Sequence, residues 1–270
     1  MLVYRGMDIG TAKPSRKDQE RIPHHFIDLV DPGQDFSVFE YRRMVLDFLN
    51  SPQAQGKIFI VVGGSGLYVK ALLHGISEKP GANPELRRRL LEGSGAGGLA
   101  ALRDRLKAID PVYAEIARDE RRVLRALEVY EMTGRTLTEW DQITEGLLKE
   151  GYRIKLFGIR WEKEVFRARI EARTRRMISE GLLDEARALE TKPWSRNSRQ
   201  AIGYAEVLEF LHGNISQEEL EPLIVKNTLS LMKRQMTWFK KETDIHWFDL
   251  KDENDWKTIS PKIIERWAHA

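Results

Sequence analysis

Ser65 lies in a glycine-rich turn, GGSG, whose residue types could bind an anion. The segment before it, residues 58–62, is apolar and β-branched, and a helical pattern follows through Leu72. Glycines let the backbone approach a phosphate closely, and the Ser65 hydroxyl can donate a hydrogen bond to a phosphate or a nucleophile. The turn is not a P-loop, because GGSGLYVK lacks the second glycine and the Lys-Ser/Thr pair of that motif. The residues alone leave open a phosphate-binding turn or a plain strand-to-helix turn.

Two arginines four residues apart, Arg169 and Arg173, share one face of a predicted helix, and Arg176 follows three residues later. Guanidinium groups that point the same way form a planar array of donors suited to a diphosphate. Glu171 and Glu180 could instead pair with these arginines and make the face an ordinary solvated surface. Spacing alone does not decide between these interpretations.

A dense run of polar and turn-forming residues opens the chain and is typical of a loop that closes a site. It comprises Gly6, Asp8, Gly10, Thr11, Lys13 and Pro14. In α/β domains the strand and helix that support such a loop normally come earlier in the chain. The run is therefore a candidate binding loop without its usual preceding strand.

Basic residues are concentrated in a few segments, although the net charge is only +3, with 44 basic against 41 acidic residues. Local basic faces are what a nucleic-acid backbone requires, whereas single ones are also ordinary solvated helix faces. The basic candidates are Arg121, Arg122 and Arg125 in RDERRVLRALEVYE and Lys233 and Arg234 in KRQMTWFK. Trp238 and Phe239 beside the last pair could stack on bases or belong to the core. Arg199 and Gln200 in SRQAIGY could contact a base edge or a phosphate, or could equally lie in a loop before a helix.

The composition predicts a globular protein of one large or two smaller domains, since 270 residues with 41% hydrophobic residues can bury a full core. No apolar run approaches the roughly 20 residues of a membrane span. Arg5, Asp8 and Lys13 also interrupt any signal-like segment, so we expect a cytoplasmic protein with no membrane partner. The absence of cysteine excludes disulfides, thiolate metal sites and cysteine nucleophiles.

The apolar patterns predict an α/β protein with a helical insertion. Strands are expected at 58–62, in YRIKLFGIRW and in IHWFDL, with a short strand-like piece in IPHHFIDLVDPGQDF. From about residue 80 to residue 150, charged amphipathic helices replace the strand patterns between Pro-Gly turns. We therefore expect a discontinuous α/β core at 1–79 and 151–270 and an all-helical domain at 80–150.

Taken in order, segments along nearly the whole chain resemble the tRNA dimethylallyltransferases, also called tRNA isopentenyltransferases. The matching segments are VYRGMDIGTAKP, PHHFIDLVDP, FSVFEYRR, VVGGSGLYVKALL, RRVLRALEVYEMTGRTLTE, GLLDEA, AIGY and KRQMTWF. The resemblance implies transfer of a dimethylallyl group from dimethylallyl diphosphate to N6 of the adenine just 3′ of the tRNA anticodon. It also implies a core with a parallel sheet related to the nucleotide-binding P-loop NTPases, a helical insertion that binds the anticodon stem-loop, and a requirement for Mg²⁺.

The resemblance further implies roles for individual residues. It makes Ser65, which stands where the family usually has threonine, and Arg173 catalytic residues, with Arg169 beside them at the diphosphate. Asp8, Gly10, Thr11, Lys13, Gly63 and Gly64 are expected to line the substrate pocket. The expected tRNA contacts are Arg121, Arg122 and Arg125, to which the basic segments add Arg199, Gln200, Lys233 and Arg234. No metal ligand is assigned.

The N-terminus departs from the family pattern. There, VYRGMDIGTAKP follows a stretch with the catalytic aspartate and, further upstream, a strand, a P-loop and a helix. None of these precedes Leu2, so we expect a shortened member that lacks its first βαβ unit, the Mg²⁺ ligands in it and part of its activity. A misassigned start codon, a fragment and a truly shortened gene are the open explanations. Leu229 and Leu231 also replace an arginine and a tyrosine of the family pattern.

Two alternative functions are also open. A homologue of this kind could bind tRNA through its helical insertion without doing chemistry, or the protein could prenylate free adenine nucleotides. The helical insertion disfavours the second alternative, because a mononucleotide needs no anticodon clamp. We expect a monomer that binds one tRNA.

Overall fold

The computed structural model of the protein describes residues 1–142 and 146–268. Its elements in chain order are α1 (Arg16–Arg21), α2 (Val38–Leu49), α3 (Gly66–Leu73), α4 (Pro84–Gly93), α5 (Gly98–Ile109), α6 (Pro111–Ile116), α7 (Glu120–Thr133), α8 (Leu137–Gln142), β1 (Leu156–Trp161), α9 (Lys163–Ser179), α10 (Leu182–Glu190), α11 (Arg196–Arg199), α12 (Tyr204–Leu211), α13 (Gln217–Phe239), β2 (Ile245–Leu250) and α14 (Asp255–Ala268). Helix α8 lies in TLTEWDQITEG, the last of the charged segments between residues 80 and 150 for which helices are expected, and residues 143–145 of this segment lie outside the described part of the chain.

The chain divides into two compact units. The first consists of Met1–Glu40, Gly64–Gly66 and Ile154–Ala270, and the second of Tyr41–Gly63 and Leu67–Arg153. The predicted helical segment 80–150 therefore belongs to the second unit, which also takes up residues 41–63 and 67–79. Whether this segment binds tRNA stays a prediction.

The first unit contains a small parallel sheet. Strands β1 and β2 form at the predicted segments and pair in parallel, from Leu156 opposite Ile245 to Trp161 opposite Leu250. The strand-like piece near Val30 makes only an isolated parallel bridge to Tyr4. Across the sheet, Arg160 donates two hydrogen bonds of 2.7 Å to the Asp249 carboxylate. The long connection from β1 to β2 passes through α9 to α13, as a parallel crossover requires.

The strand predicted at 58–62 is wrong. These residues have no regular secondary structure, and four apolar side chains are strongly exposed: Ile58, Ile60, Val61 and Val62 are 67%, 85%, 61% and 89% accessible. A strand is held by hydrogen bonds to a neighbouring strand, and no strand in residues 1–142 or 146–268 pairs with this segment. The apolar pattern alone could not show whether a pairing partner exists. The helix predicted after the turn is present as α3.

The core of the first unit lies where the N-terminal segment meets α10, α12 and α13. Tyr4 and Met7 are almost completely buried there, with Leu182 of α10, Tyr204 of α12 and Leu220 of α13. A capping box at Ser216 and Glu219 begins α13. Two buried apolar residues of the N-terminal segment, Tyr4 and Met7, therefore attach the polar run to the core of the first unit.

The second unit has a separate helical core from α4, α5 and α7. Asn83 and Asp119 cap α4 and α7, since each side chain accepts the backbone N–H three residues later. Leu106, Val123 and Leu127 are essentially inaccessible to solvent. No helix in residues 1–142 or 146–268 is long and apolar enough to cross a bilayer.

A fully buried carboxylate, Glu128, ties α7 to α4. Arg87 donates two hydrogen bonds of 2.9 Å to it, Arg125 donates one of 2.8 Å, and the backbone N–H of Asn83 donates one of 2.6 Å. Burial alone raises the pKa of Glu128, but these hydrogen bonds outweigh it and hold the pKa below its usual value.

Glu128→Gln is expected to lower the free energy of unfolding by about 2 kcal/mol, because hydrogen bonds to a charged group contribute roughly 1.5–3 kcal/mol. The pKa of Glu128 is lower in the folded state than in the unfolded state, so its stabilisation is present above about pH 4.3 and is lost as the pH falls through the folded pKa. Urea unfolding at pH 7 and at pH 3 measures both effects, and the difference between variant and wild type should shrink at the lower pH.

Glu131→Gln on the same helix is the matched control for that experiment. Its carboxylate pairs with Arg105 at the surface, so the loss should stay below about 1 kcal/mol. If both variants lose the same free energy of unfolding at pH 7, the buried ion pairs of Glu128 stabilise the protein no more than a surface pair does.

Candidate active site

The Gly64-Ser65-Gly66 turn rests directly on helix α13. A Cβ atom at Gly64 would lie 2.4 Å from Nε2 of Gln235, and one at Gly66 would lie 2.1 Å from Cδ2 of Trp238. A side chain at Gly64 would therefore require the Gln235 amide to shift, and one at Gly66 would require the larger Trp238 ring or the turn to move. The exposed Ser65 hydroxyl is therefore held by close packing of the backbone on both sides. Gly63 differs, because a Cβ atom there would meet nothing within 4 Å.

Helix α13 also packs against α9, which carries the predicted arginines. The two competing carboxylates pair with arginines other than Arg169 and Arg173, and for Arg176 the ion-pair interpretation holds. Glu171 pairs with Arg167 at 2.9 Å, and Glu180 lies 3.7 Å from Arg176. Arg173 has no acidic partner within residues 1–142 and 146–268, so of the two open interpretations the described contacts favour an available cation.

Arg173 and Arg169 differ in their surroundings. Desolvation and the nearby charge of Arg176 lower the pKa of Arg173, although a guanidinium stays protonated at physiological pH. Arg169 stacks on the Trp161 ring, with its Cζ atom 4.1 Å from the ring centroid, and it pairs with Glu253. A diphosphate would have to displace Glu253 to reach Arg169, whereas Arg173 has no such competitor in the described chain.

The basic residues of α13 lie beside a groove formed with α9. The groove has a volume of about 440 Å³ and is lined by Arg167, Glu171, Glu221, Pro222, Val225, Lys226, Leu229, Ser230 and Lys233. Lys233 thus lines this groove, and Arg234 next to it is exposed. Leu229, where the family pattern has an arginine, contributes an apolar wall to the groove.

Lys13 of the N-terminal loop is buried rather than presented to solvent. Its ammonium donates hydrogen bonds to the carbonyl of Tyr4 at 2.9 Å and to Oδ1 of Asp8 and of Asp28, both at 2.5 Å, and its side chain is only 4% exposed. These three acceptors use all three of its N–H donors. Lys13 therefore stabilises the loop by binding three oxygen acceptors, one of which belongs to the predicted site residue Asp8.

The rest of the loop is also internally bonded. The Thr11 hydroxyl donates to the carbonyl of Met7 at 2.6 Å. Ala12 has a φ of 51°, a left-handed conformation that is uncommon for a residue other than glycine. Gly10 approaches the Tyr204 ring so closely that a Cβ atom there would lie 2.4 Å from Cε2. The loop is thus a rigid, packed structure.

The three predicted arginines of α7 have different roles. Arg125 donates to Glu128 and to the carbonyls of Pro80 and Gly81, so it stabilises the start of the helical segment. Arg122 lies 3.5 Å from Asp119 at the helix start. Arg121 is exposed and has no partner among the described residues.

Arg199 and Gln200 lie at the end of the short helix α11 and are both exposed. The buried Ser198 beside them donates to the carbonyl of Pro32 at 2.6 Å, and the backbone N–H of Ser195 donates to the same carbonyl at 2.7 Å. These bonds fix the position of α11 against the N-terminal segment and present Arg199 to solvent.

The described residues do not offer a ready Mg²⁺ site. No group of three or more His, Cys, Asp or Glu side chains in residues 1–142 and 146–268 could hold a metal ion. Mg²⁺ prefers carboxylate oxygens together with substrate phosphates, and Asp8 and Asp28 already bind the ammonium of Lys13. The predicted Mg²⁺ requirement therefore has no support in these residues.

Two residues that the sequence patterns did not single out, Gln235 and Glu185, contact the candidate site. Gln235 and Trp238 support the serine turn, and Glu185 of α10 binds the N-terminal loop. The spacing of three between Gln235 and Trp238 places both on one helix face and was the available signal. Glu185 gave no signal, since it reads as an ordinary acid in the first turn of a helix.

The chain matches known proteins over nearly its full length. A sequence profile described as IPP transferase matches residues 2–242. A tRNA dimethylallyltransferase of Pelotomaculum thermopropionicum is 38% identical, covering 97% of this chain and 84% of the relative. Another from Geobacter sulfurreducens is 41% identical, covering 92% of this chain and 81% of the relative.

The chain also resembles solved structures of tRNA isopentenyltransferases. The full-length tRNA isopentenylpyrophosphate transferase of Bacillus halodurans has a TM-score of 0.66 and 33% identity, covering 100% of this chain and 88% of that one. A eukaryotic dimethylallyltransferase acting on tRNA has a TM-score of 0.76 at 24% identity, with 98% and 69% covered, and supports the fold alone. The chain belongs to the IPP transferase family, the family of the tRNA dimethylallyltransferases.

Proposed function

We propose that the protein transfers a dimethylallyl group from dimethylallyl diphosphate to N6 of the adenine 3′ of the anticodon in tRNA, with release of diphosphate. Family membership supports the reaction class. The observation that carries the assignment to particular residues is the serine turn seated on α13, the helix that also packs on the Arg173 helix.

In this reaction the N6 nitrogen attacks C1 of the dimethylallyl group. The C1–O bond breaks, its electron pair leaves with the diphosphate, and N6 gives up one proton to a base that is not assigned among these residues. The transition state places growing negative charge on the diphosphate, so a fixed cation at that point lowers the barrier. We assign this role to Arg173, whose guanidinium can bind two phosphate oxygens at once.

We assign Ser65 to the same end of the site. Its hydroxyl can donate a hydrogen bond to a diphosphate oxygen or orient the N6 amino group, and the flanking glycines fix its position without side chains of their own. Gly63 and Gly64 would let the backbone approach the diphosphate. Arg169 pairs with Glu253, which competes with the diphosphate for its guanidinium, so we propose that Arg169 stabilises the diphosphate less than Arg173 does.

The adenine must leave its stack to reach these groups, and this extrusion requires the protein to bind the surrounding RNA. We propose that the helical segment 80–150 binds the anticodon stem-loop through exposed arginines of α7, with Arg121 and Arg122 at phosphates. Arg125 stabilises this part of α7 by donating a hydrogen bond to the buried Glu128 carboxylate. Arg199, Gln200, Lys233 and Arg234 are proposed as further contacts from the first unit.

The test of the proposed function is incubation of the protein with tRNA and isotope-labelled dimethylallyl diphosphate. We expect label in the tRNA and diphosphate in solution. Label in free adenine nucleotides but not in tRNA would contradict the assignment of the substrate.

Arg121→Ala is expected to weaken binding of an anticodon stem-loop and to reduce the slope of log K against log salt by about one, the value for one lost phosphate contact. The control is Arg88→Ala in the same unit, because Arg88 is exposed but paired with Glu85 and Glu92. A salt titration of binding measures both. An unchanged slope in Arg121→Ala would remove α7 from the RNA-binding surface.

A further inference from the structure

One carboxylate, Glu185, binds three consecutive backbone N–H groups of the N-terminal loop. Asp8 N–H donates to Oε2 at 3.0 Å, Ile9 N–H to Oε2 at 2.9 Å and to Oε1 at 3.1 Å, and Gly10 N–H to Oε1 at 3.2 Å. Successive N–H groups that converge in this way form a concave anion site, of the kind that binds phosphates in other proteins. Here a side chain of the same protein occupies it.

Local structure explains why Glu185 is placed there. Gly181, with a φ of 102°, begins α10, and Leu182 and Ala186 on either side of Glu185 are fully buried and fix the helix. The carboxylate lies in the first turn of α10, where the helix dipole favours negative charge. The buried side chains on either side of Glu185 therefore direct its carboxylate toward the loop.

A second group completes the arrangement from α12. The Tyr204 hydroxyl donates a hydrogen bond to Oε1 of Glu185. Burial raises the pKa of Tyr204, and the neighbouring Glu185 raises it further, so the hydroxyl remains a donor throughout the physiological range. The Tyr204 ring also packs against Gly10, where a Cβ atom would lie 2.4 Å from the ring.

We propose that Glu185 is a positioning residue, which locks the loop of Asp8, Ile9 and Gly10 in one conformation and excludes the diphosphate from its three backbone N–H groups. The proposal rests on the proposed function, because the loop lines the substrate pocket in that account. It changes the role of Gly10: the glycine is needed for packing on Tyr204 and not for approach to a phosphate. The loop then lines the substrate pocket in a single preorganised conformation.

The test compares Glu185→Gln and Tyr204→Phe with wild type, and Asp184→Asn is the control. Asp184 lies in the same helical turn, is 82% exposed and, within the described part of the chain, pairs only with Arg187. The first readout is amide hydrogen exchange of residues 7–13 in the full chain without substrates. We expect Glu185→Gln to speed exchange of the loop about 10- to 100-fold, the loss expected when hydrogen bonds to a charge are weakened. Tyr204→Phe should have a smaller effect in the same direction, and Asp184→Asn none.

The second readout separates KM from kcat at a temperature where every variant is folded. Glu185→Gln should lower kcat about 10-fold through misplacement of the loop, with KM for dimethylallyl diphosphate unchanged. An unchanged exchange rate, an unchanged kcat, or a tenfold higher KM for the diphosphate substrate would each overturn the proposal. A different outcome would be faster loop exchange in Glu185→Gln while neither the variants nor the wild type transfers a prenyl group. This outcome would overturn the proposed function but leave the structural role of Glu185 in place.

Discussion

Arg173→Ala is expected to lower kcat/KM for prenyl transfer about 1,000-fold, at the upper end of what loss of one fixed donor to a developing anion costs. The physical reason is that Arg173 has no acidic partner in the described chain, while both neighbouring glutamates pair with other arginines. Its charge is therefore not compensated until the diphosphate binds. The effect should appear mostly in kcat, because the charge on the leaving group grows in the transition state.

The matched control is Arg175→Ala on the same helix. Arg175 is exposed and pairs with Glu221 at 2.9 Å, so its loss should change the rate less than about tenfold. Arg173→Lys keeps the charge but loses bidentate geometry, and we expect an intermediate rate. A similar rate loss in Arg173→Ala and Arg175→Ala would contradict the proposed role of Arg173.

Gly66→Ala is expected to lower the rate of transfer about 100-fold, because a displacement of roughly 1 Å at a catalytic group can cost that much. The new methyl group would lie 2.1–2.5 Å from three atoms of the Trp238 ring. Either the turn or the Trp238 ring on which it rests must move, and both movements disturb the position of the Ser65 hydroxyl. Alanine is also the better helix former at the first residue of α3, so a loss of activity could not be attributed to weaker helix propensity.

Gly93→Ala is the control for this substitution. It also changes a terminal helical glycine, but an added Cβ atom there meets nothing within 4 Å. We expect wild-type rates for Gly93→Ala, and steady-state kinetics with circular dichroism as a check of folding compares the two. Full activity of Gly66→Ala would show that the position of the serine turn on α13 does not matter for the reaction.

Long periodic segments and alternating strands could be predicted from the sequence. Strands β1 and β2 form within their predicted segments, and Arg169, Arg173 and Arg176 lie on one helix, α9, as their spacing indicated. The segment 58–62 shows the limit of such patterns. Its β-branched residues favour extended backbone, but a strand forms only beside a partner, and pairing is a property of the whole fold.

The site could be predicted only in part for a similar reason. Spacing placed Arg169, Arg173 and Arg176 on one helix face, but which arginine each glutamate neutralises depends on side-chain directions and on partners such as Glu253 from distant parts of the chain. Lys13 was expected to line the substrate pocket, and only the fold brings Asp28 and the Tyr4 carbonyl to its ammonium. Contacts that link distant segments leave no trace in local spacing.

The most direct test of the central claim is a single-turnover assay with protein in excess over tRNA, so that slow transfer is still detected. The tRNA is then digested, and its nucleosides are analysed by mass spectrometry. We predict a dimethylallyl group on N6 of the adenine 3′ of the anticodon, with an equal amount of diphosphate released. Salt-dependent binding shows separately whether the protein binds the anticodon stem-loop. If the tRNA is bound in this way but is recovered unmodified, the account is contradicted.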